Sequence, residues 1–226
     1  MKEISLELYA KSRLALPNCV ENLLKKDNPT FALTSLFLLL ASFGSGTALT
    51  GTLSDDAERR IAANRQIVKE VFTTLKGELE KALDAGGPAS AIPVCKEKVP
   101  EIGKTFKEKY PGWSIRRTTL NTRNPVNAPD EWERKALERF EARKAAGEDP
   151  KMMEYSEFVA RDGAKDSAKV FRYMKAIPTQ EVCTLCHGSS LMPDVVAKLE
   201  ALYPEDTARG FELGDIRGAF SITQPE

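Results

Sequence analysis

Cys183-Thr184-Leu185-Cys186-His187 is a C-x-x-C-H pentapeptide, and it holds the only histidine of the chain. Two thiols separated by two residues can reach the two vinyl groups of one porphyrin as thioethers. The imidazole that follows then lies beneath the iron as its proximal ligand, and this is the attachment sequence of c-type haem. The same atoms serve other chemistries. A redox dithiol uses C-x-x-C at a strand-to-helix junction in a βαβ setting, whereas the preceding IPTQEV reads as a loop. A zinc site could take Cys183, Cys186, Cys95 and His187. Adjacent Cys186 and His187 are awkward neighbours in one tetrahedron, however, and a second well-spaced pair is missing. A structural disulfide between Cys183 and Cys186 leaves the histidine without a purpose.

The compartment bears on the remaining thiols. Phe31 to Phe43 is a stretch without a charge, preceded by Lys25 and Lys26 and followed by small residues at Gly46 and Ala48, the layout of a secretory signal. It falls short of the roughly 20 apolar residues of a spanning helix, so a membrane is met only through this segment, as a weak anchor, if it stays uncleaved. About 30 residues precede the run, more than an ordinary leader carries, which points to a translation start downstream of Met1. The expected organisation is therefore a targeting segment at 1–48 and one domain at 49–226. The domain would reside in the periplasm or another extracytoplasmic compartment, such as the thylakoid lumen of a photosynthetic organism. Loss of the leader removes Cys19 and leaves Cys95, Cys183 and Cys186, an odd number where disulfides form.

With 33 Lys+Arg against 33 Asp+Glu, 42% hydrophobic and 29% charged residues in 226, the chain is that of a folded domain. No basic excess exists to neutralise phosphates, so no nucleic-acid partner is expected.

The elements that must position the motif are legible in outline. From Ser54 to Gly86, Ile61, Val68, Val71, Phe72, Leu75, Leu79 and Leu83 recur at helical steps. The reading is a long helix capped by Ser54, with Asp55 and Asp56 in its first turn, stopped by Gly86-Gly87-Pro88. A second helical stretch places Cys95, Val99, Ile102 and Phe106 on one apolar side, although Pro93 and Pro100 weaken it and Pro93 fits best near a first turn. WSIRRTTL reads as a strand, NTRNPVNAPDE as a loop, and Glu131 to Ala146 as a helix. EYSEFVAR and AKVFRYMKAI read as strands parted by a turn at Asp162-Gly163. A helix near Pro193 to Leu202 and a last strand in GDIRGAFSITQ complete an α+β plan. Only 39 residues follow His187, and Met192 is too close in sequence to cross the iron, so a late methionine ligand is not available. The strand-like runs argue against a four-helix cytochrome. Met152, Met153 and Met174 read as core residues.

AIPVC at Cys95, WSIRRTTLNTRNPVNAPDEWE from Trp113 to Glu133, CTLCHG, and YPEDTARGFELGDIRGAFSIT near the end frame nearly all of 49–226. With them the chain resembles the c-haem proteins of Per-Arnt-Sim-like (PAS-like) fold first known from cyanobacteria, whose domain also occurs as a sensor module in bacterial signalling proteins. The resemblance implies an antiparallel sheet with a long N-terminal helix and helices flanking one covalent haem c, thioether-linked through Cys183 and Cys186. It implies His187 and Cys95 as the axial pair. The leftover thiol on an apolar helix face agrees with that role, and iron would stabilise its thiolate; an inert buried cysteine is the other reading. Arg116, Arg117, Arg123 and Asn124 become candidates to hold the haem propionates. Alternation on a strand turns Arg116 and Arg117 to opposite faces, so at most one of the two points inward. Trp132, with Trp113, is a candidate pocket wall, core packing being the alternative. The expected role is redox sensing or electron transfer with a separate redox or signalling partner protein, and no catalysed reaction. Gas binding or weak peroxidase-like activity after loss of the Cys95 ligand is the alternative.

Overall fold

The computed structural model describes residues 48–161 and 169–225; the apolar run Phe31–Phe43, Cys19 and the turn at Asp162-Gly163 lie outside them. Helix α1 (Ala48–Lys109) is two helical arms, because Gly86 is extended and Gly87 sits at φ +73°, a left-handed conformation that glycine adopts without strain. The second arm folds back on the first: Lys109 pairs with Glu70 at 2.6 Å, and Phe106 packs with Ile67 and Val71. The expected break at Gly86-Gly87 is thus where the chain turns.

Two details of α1 differ from expectation. Helix precedes Ser54, so that residue is not a cap. Asp56 instead bonds the Arg60 and Arg59 guanidinium groups one turn on, at 2.7 and 3.3 Å. A serine cap is worth only about 1 kcal/mol, and Gly51, at a similar cost, is the one poor helix former between Ala48 and Ser54. Pro88, not Pro93, opens the second arm, and Pro93 and Pro100 both lie inside it. Each costs about 3 kcal/mol in an isolated helix. Burial of Ala91, Ile92 and Phe106 on the same arm offsets this, at about 1.5–3 kcal/mol for each large side chain.

β1 (Ser114–Thr118), a 3₁₀ turn (Pro125–Asn127), α2 (Glu131–Ala145), β2 (Glu154–Ala160), β3 (Lys169–Pro178), α3 (Glu181–His187), α4 (Pro193–Leu202) and β4 (Ile216–Pro225) follow. The strands form one antiparallel sheet in the order β1-β4-β3-β2. The fold is α+β, as the order of helices and strands predicts. Alternation along β3 sorts the core. Phe171 and Tyr173 face α1 together with Phe220 and Ile222, while Met174 and Ala176 face α2 and its Leu137 and Phe140. α2 begins with a capping box in which Asp130 Oδ1 accepts from Glu133 N at 2.8 Å and Glu133 Oε2 accepts from Asp130 N at 2.9 Å.

The register slips at the start of β4: Ile177 faces Gly218 but Pro178 faces Ile216, leaving Arg217 as an extra residue. Such a bulge moves Ile216 onto the α2 face, where it is buried with Ala219. Gly218 makes the slip possible, because its φ is +152° and an added Cβ would lie 2.4 Å from Thr118 O.

IPTQEV is not the loop expected. β3 runs to Pro178, only Thr179 and Gln180 intervene, and Glu181 opens α3. Gln180 stands at the N-cap in extended conformation without a side-chain bond, so no sequence signal of a cap was present. Thr179 fastens this junction through the backbone, donating to Asp215 O at 2.7 Å and accepting from Gly214 N at 2.9 Å.

Candidate functional site

α3 carries Cys183, Cys186 and His187, and all three cysteines described are free thiols. Gly188 ends the helix. Its N–H donates to Thr184 O at 3.0 Å, and a Cβ there would meet that oxygen at 2.6 Å, which explains the glycine after the histidine. Cys186 packs with Ile92 and Ala89 of α1 and with Val195 and Leu199 of α4. The second arm of α1 therefore lies against the motif and brings Cys95 to the same site. Cys95, on that arm, feels the charges of Arg117 and Arg123 and is electrostatically coupled to Cys186 and Tyr203.

The histidine is held by the loop before β4. Nδ1 donates to Ala208 O at 2.8 Å, Phe211 N donates to His187 O at 2.9 Å, and the Phe211 ring meets the imidazole edge-on at 6.3 Å. Spending Nδ1–H on a carbonyl leaves the lone pair on Nε2. Arg123 organises the surroundings. It donates to Cys186 O at 2.6 Å and Ala208 O at 3.3 Å, and it pairs with Asp206 through two nitrogens at 3.2 Å. Its Nη1 lies 3.4 Å from His187 Nε2. Asp206 is 1% exposed and also takes Arg209 at 3.0 Å and Ala208 N at 3.0 Å.

Burial sets the protonation states. It raises the thiols of Cys95 and Cys183 and pushes Cys186 up to about 11, with the charges of Arg117 and Arg123 opposing this at Cys95. Burial also holds His187 well below the ordinary histidine range, and Arg217 and Arg123 add to that. The site is thus a set of neutral donors among cations. A dithiol redox pair needs the opposite, a lowered thiol, and the sheet around α3 is antiparallel with no βαβ unit. Among the described residues no three His, Cys, Asp or Glu side chains come together to hold a metal ion, so the four-ligand zinc set does not assemble.

The other sequence candidates divide. Arg117 stands on the α1-facing side of β1, opposite Phe220, and is in the site. Arg116 faces α2, as alternation requires, where it pairs with Glu133 at 3.2 Å and donates to Val126 O and Ala128 O. Asn124 caps the 3₁₀ turn by accepting from Val126 N. Trp132 packs on Tyr155, donates to Glu157 at 3.0 Å and lies under Arg172 at 4.3 Å. Arg116 and Trp132 are engaged on the α2 side, and Asn124 is engaged in the 3₁₀ turn. Met153 and Met174 are core residues, and Met152 is exposed.

Arg217 was missed. It stacks on Phe211 at 5.1 Å and donates to Thr119 Oγ1 at 3.3 Å, and its Nε is buried without a hydrogen-bond partner. The signal was the Arg between the last two glycines of GDIRG. A cleft of about 510 Å³ lies elsewhere, between the arms of α1 beside Thr73, Ile102 and Phe106.

A four-stranded antiparallel sheet sandwiched by helices, with a C-x-x-C-H helix locked to its end, defines an α+β domain built around a thiol–imidazole centre. The chain belongs to the Tll0287-like family, whose model matches residues 52–225. Among solved structures, the cyanobacterial heme-protein Tll0287 is similar over 73% of this chain and 96% of its own, at 24% identity and a TM-score of 0.50, a likeness of fold. No curated protein matches the chain.

Proposed function

We propose that this chain is an extracytoplasmic monohaem c-type protein with a PAS-like domain, serving as a redox sensor or electron carrier and catalysing no reaction of its own. The observation that carries the reading is the state of His187. Its Nδ1 proton is spent on Ala208 O, so Nε2 presents a lone pair one residue after two neutral thiols on one short helix. Membership of the Tll0287-like family supports it, as does the likeness to a cyanobacterial heme-protein. An antiparallel sheet with its last strand inside supports the PAS-like description.

The donor set fits haem. Cys183 and Cys186 are one turn apart, and each would add its S–H across a vinyl group. His187, and Cys95 on the arm packed against α3, would hold the iron. When bound, the group supplies a one-electron ferric–ferrous couple, which thiolate ligation holds at low potential. Arg123 and Asp206 fix the loop that holds His187, while Ile92, Val195 and Leu199 form an apolar wall beside Cys186.

An absorption spectrum in alkaline pyridine, taken on protein expressed with the c-type maturation machinery, tests the reading. The band position of a haem with both vinyls saturated is expected, followed by a reversible one-electron titration. Extraction of the pigment by acidified acetone, or an intact mass equal to the bare polypeptide, would overturn it.

A further inference from the structure

Among the described residues, six half-buried arginines are neutralised by carboxylates. Arg60 pairs with Asp56, Arg116 with Glu133, Arg123 and Arg209 with Asp206, Arg143 with Glu148 and Arg172 with Asp130. Among the described residues, Arg117 and Arg217 are the half-buried arginines without a carboxylate, and both belong to the cysteine–histidine site. A cation left in a poorly solvated place with no counter-charge is costly unless a ligand supplies it.

The backbone goes to some length to place them. Arg117 is on the α1-facing side of β1, the side of Cys95. Arg217 is the extra residue of the β4 bulge. Without the slip it would share a face with Ala219, which is buried toward α2. The slip instead lays its guanidinium on Phe211, the ring that abuts His187, and leaves Nε unbonded. Burial pulls both guanidinium groups below the usual arginine value, Arg217 to about 10, as expected of cations short of a partner.

We propose that Arg117 and Arg217 form a dicarboxylate cradle that receives the two propionates of the porphyrin, Arg217 through the fork that includes its unbonded Nε. The proposal rests on the haem reading above. It releases Arg123, whose donors are already committed to Asp206 and two carbonyls, and Arg116, committed to Glu133. Two carboxylates meet two guanidinium groups, and the planar fork suits a carboxylate better than an ammonium would.

The test uses the haem-loaded full chain with Arg117→Gln, Arg217→Gln, Arg217→Lys and, as a control, Arg116→Gln. Resonance Raman spectra in the propionate-bending region and the reduction potential are the readouts. Each Gln variant is expected to shift the propionate band and, by removing a charge-assisted bond, to move the ferric-to-ferrous ratio at a fixed applied potential about tenfold toward ferric. Arg217→Lys should recover most of the ratio but not the band, and Arg116→Gln should change neither. Loaded Gln variants with wild-type bands and ratio would overturn the cradle while leaving the haem reading standing. A wild-type chain without thioether-linked pigment would overturn both. If Arg217→Gln does not accumulate, an unshifted band in Arg217→Lys is enough to refute the role of the fork.

Discussion

At the scale of single residues, the role proposed for Cys95 makes the sharpest prediction. Cys95→Ala should leave the pigment attached, remove the thiolate signature from the ferric absorption and electron-spin spectra, and raise the potential, since thiolate favours ferric iron. Unaltered spectra would transfer the sixth position to another group. If His187 and Cys95 both hold the iron as proposed, carbon monoxide should leave the ferrous spectrum unchanged, and a shifted band would favour the gas-binding alternative. Cys183, Cys186 and His187 could be singled out because C-x-x-C-H is a pattern of five consecutive residues, and all three lie on α3. Arg117 was half legible, since alternation said that it or Arg116, but not both, would face inward. Arg217 was hidden because its direction depends on the register between two strands, which no spacing along one of them encodes. Arg116, Asn124 and Trp132 were candidates through the family-like segment that holds them, and the structure engages Asn124 in the 3₁₀ turn, Arg116 with Glu133 and Trp132 with Glu157.

At the scale of elements, glycines and caps decide the outcome. Gly218→Ala places a Cβ 2.4 Å from a main-chain carbonyl at a φ no side chain favours, and should cost about 3 kcal/mol in denaturant unfolding. Gly77→Ala, in the first arm of α1 with nothing within 4 Å of the new methyl, should instead stabilise by about 0.5–1 kcal/mol. Asp130→Ala should cost about 1 kcal/mol at neutral pH by removing the cap of α2. Partial burial raises the Asp130 carboxyl, but Arg172 and the Glu133 N–H more than reverse this, so its pKa lies below the ordinary 3.8. A carboxyl depressed on folding stabilises above the unfolded value, and that stability fades as the pH falls through the lower folded one. The gap between wild type and Asp130→Ala should therefore be level above about pH 5 and close below about pH 4. Strong periodicity made α2 and α4 legible to within a residue. The start of α1 and the short α3 were not, because one is prolonged past a weak cap and the other begins without one.

At the scale of the whole domain, Asn64 and Gln224 tie the first arm of α1 to β4 through a fully buried bond of 2.7 Å, and Phe220 and Ile222 add an apolar seam to the same contact. Amide exchange should therefore be slowest in β3 and β4 and faster in β1 and β2, the edge strands paired on one side. Why the sheet closes in this order was not readable from strand patterns alone. Alternation identifies a face, and only the long-range pairing of β1 with β4 identifies a neighbour.

That order has a consequence for synthesis. β4 lies between β1 and β3, so a ribosome that has delivered everything up to Asp215 has delivered two unjoined halves of a sheet. The helix bearing the cysteines is out by then, while the strand that carries Arg217 is not. A premature stop at Ile216 would not shave an edge but remove the keystone, and such a product should be degraded as an unassembled chain.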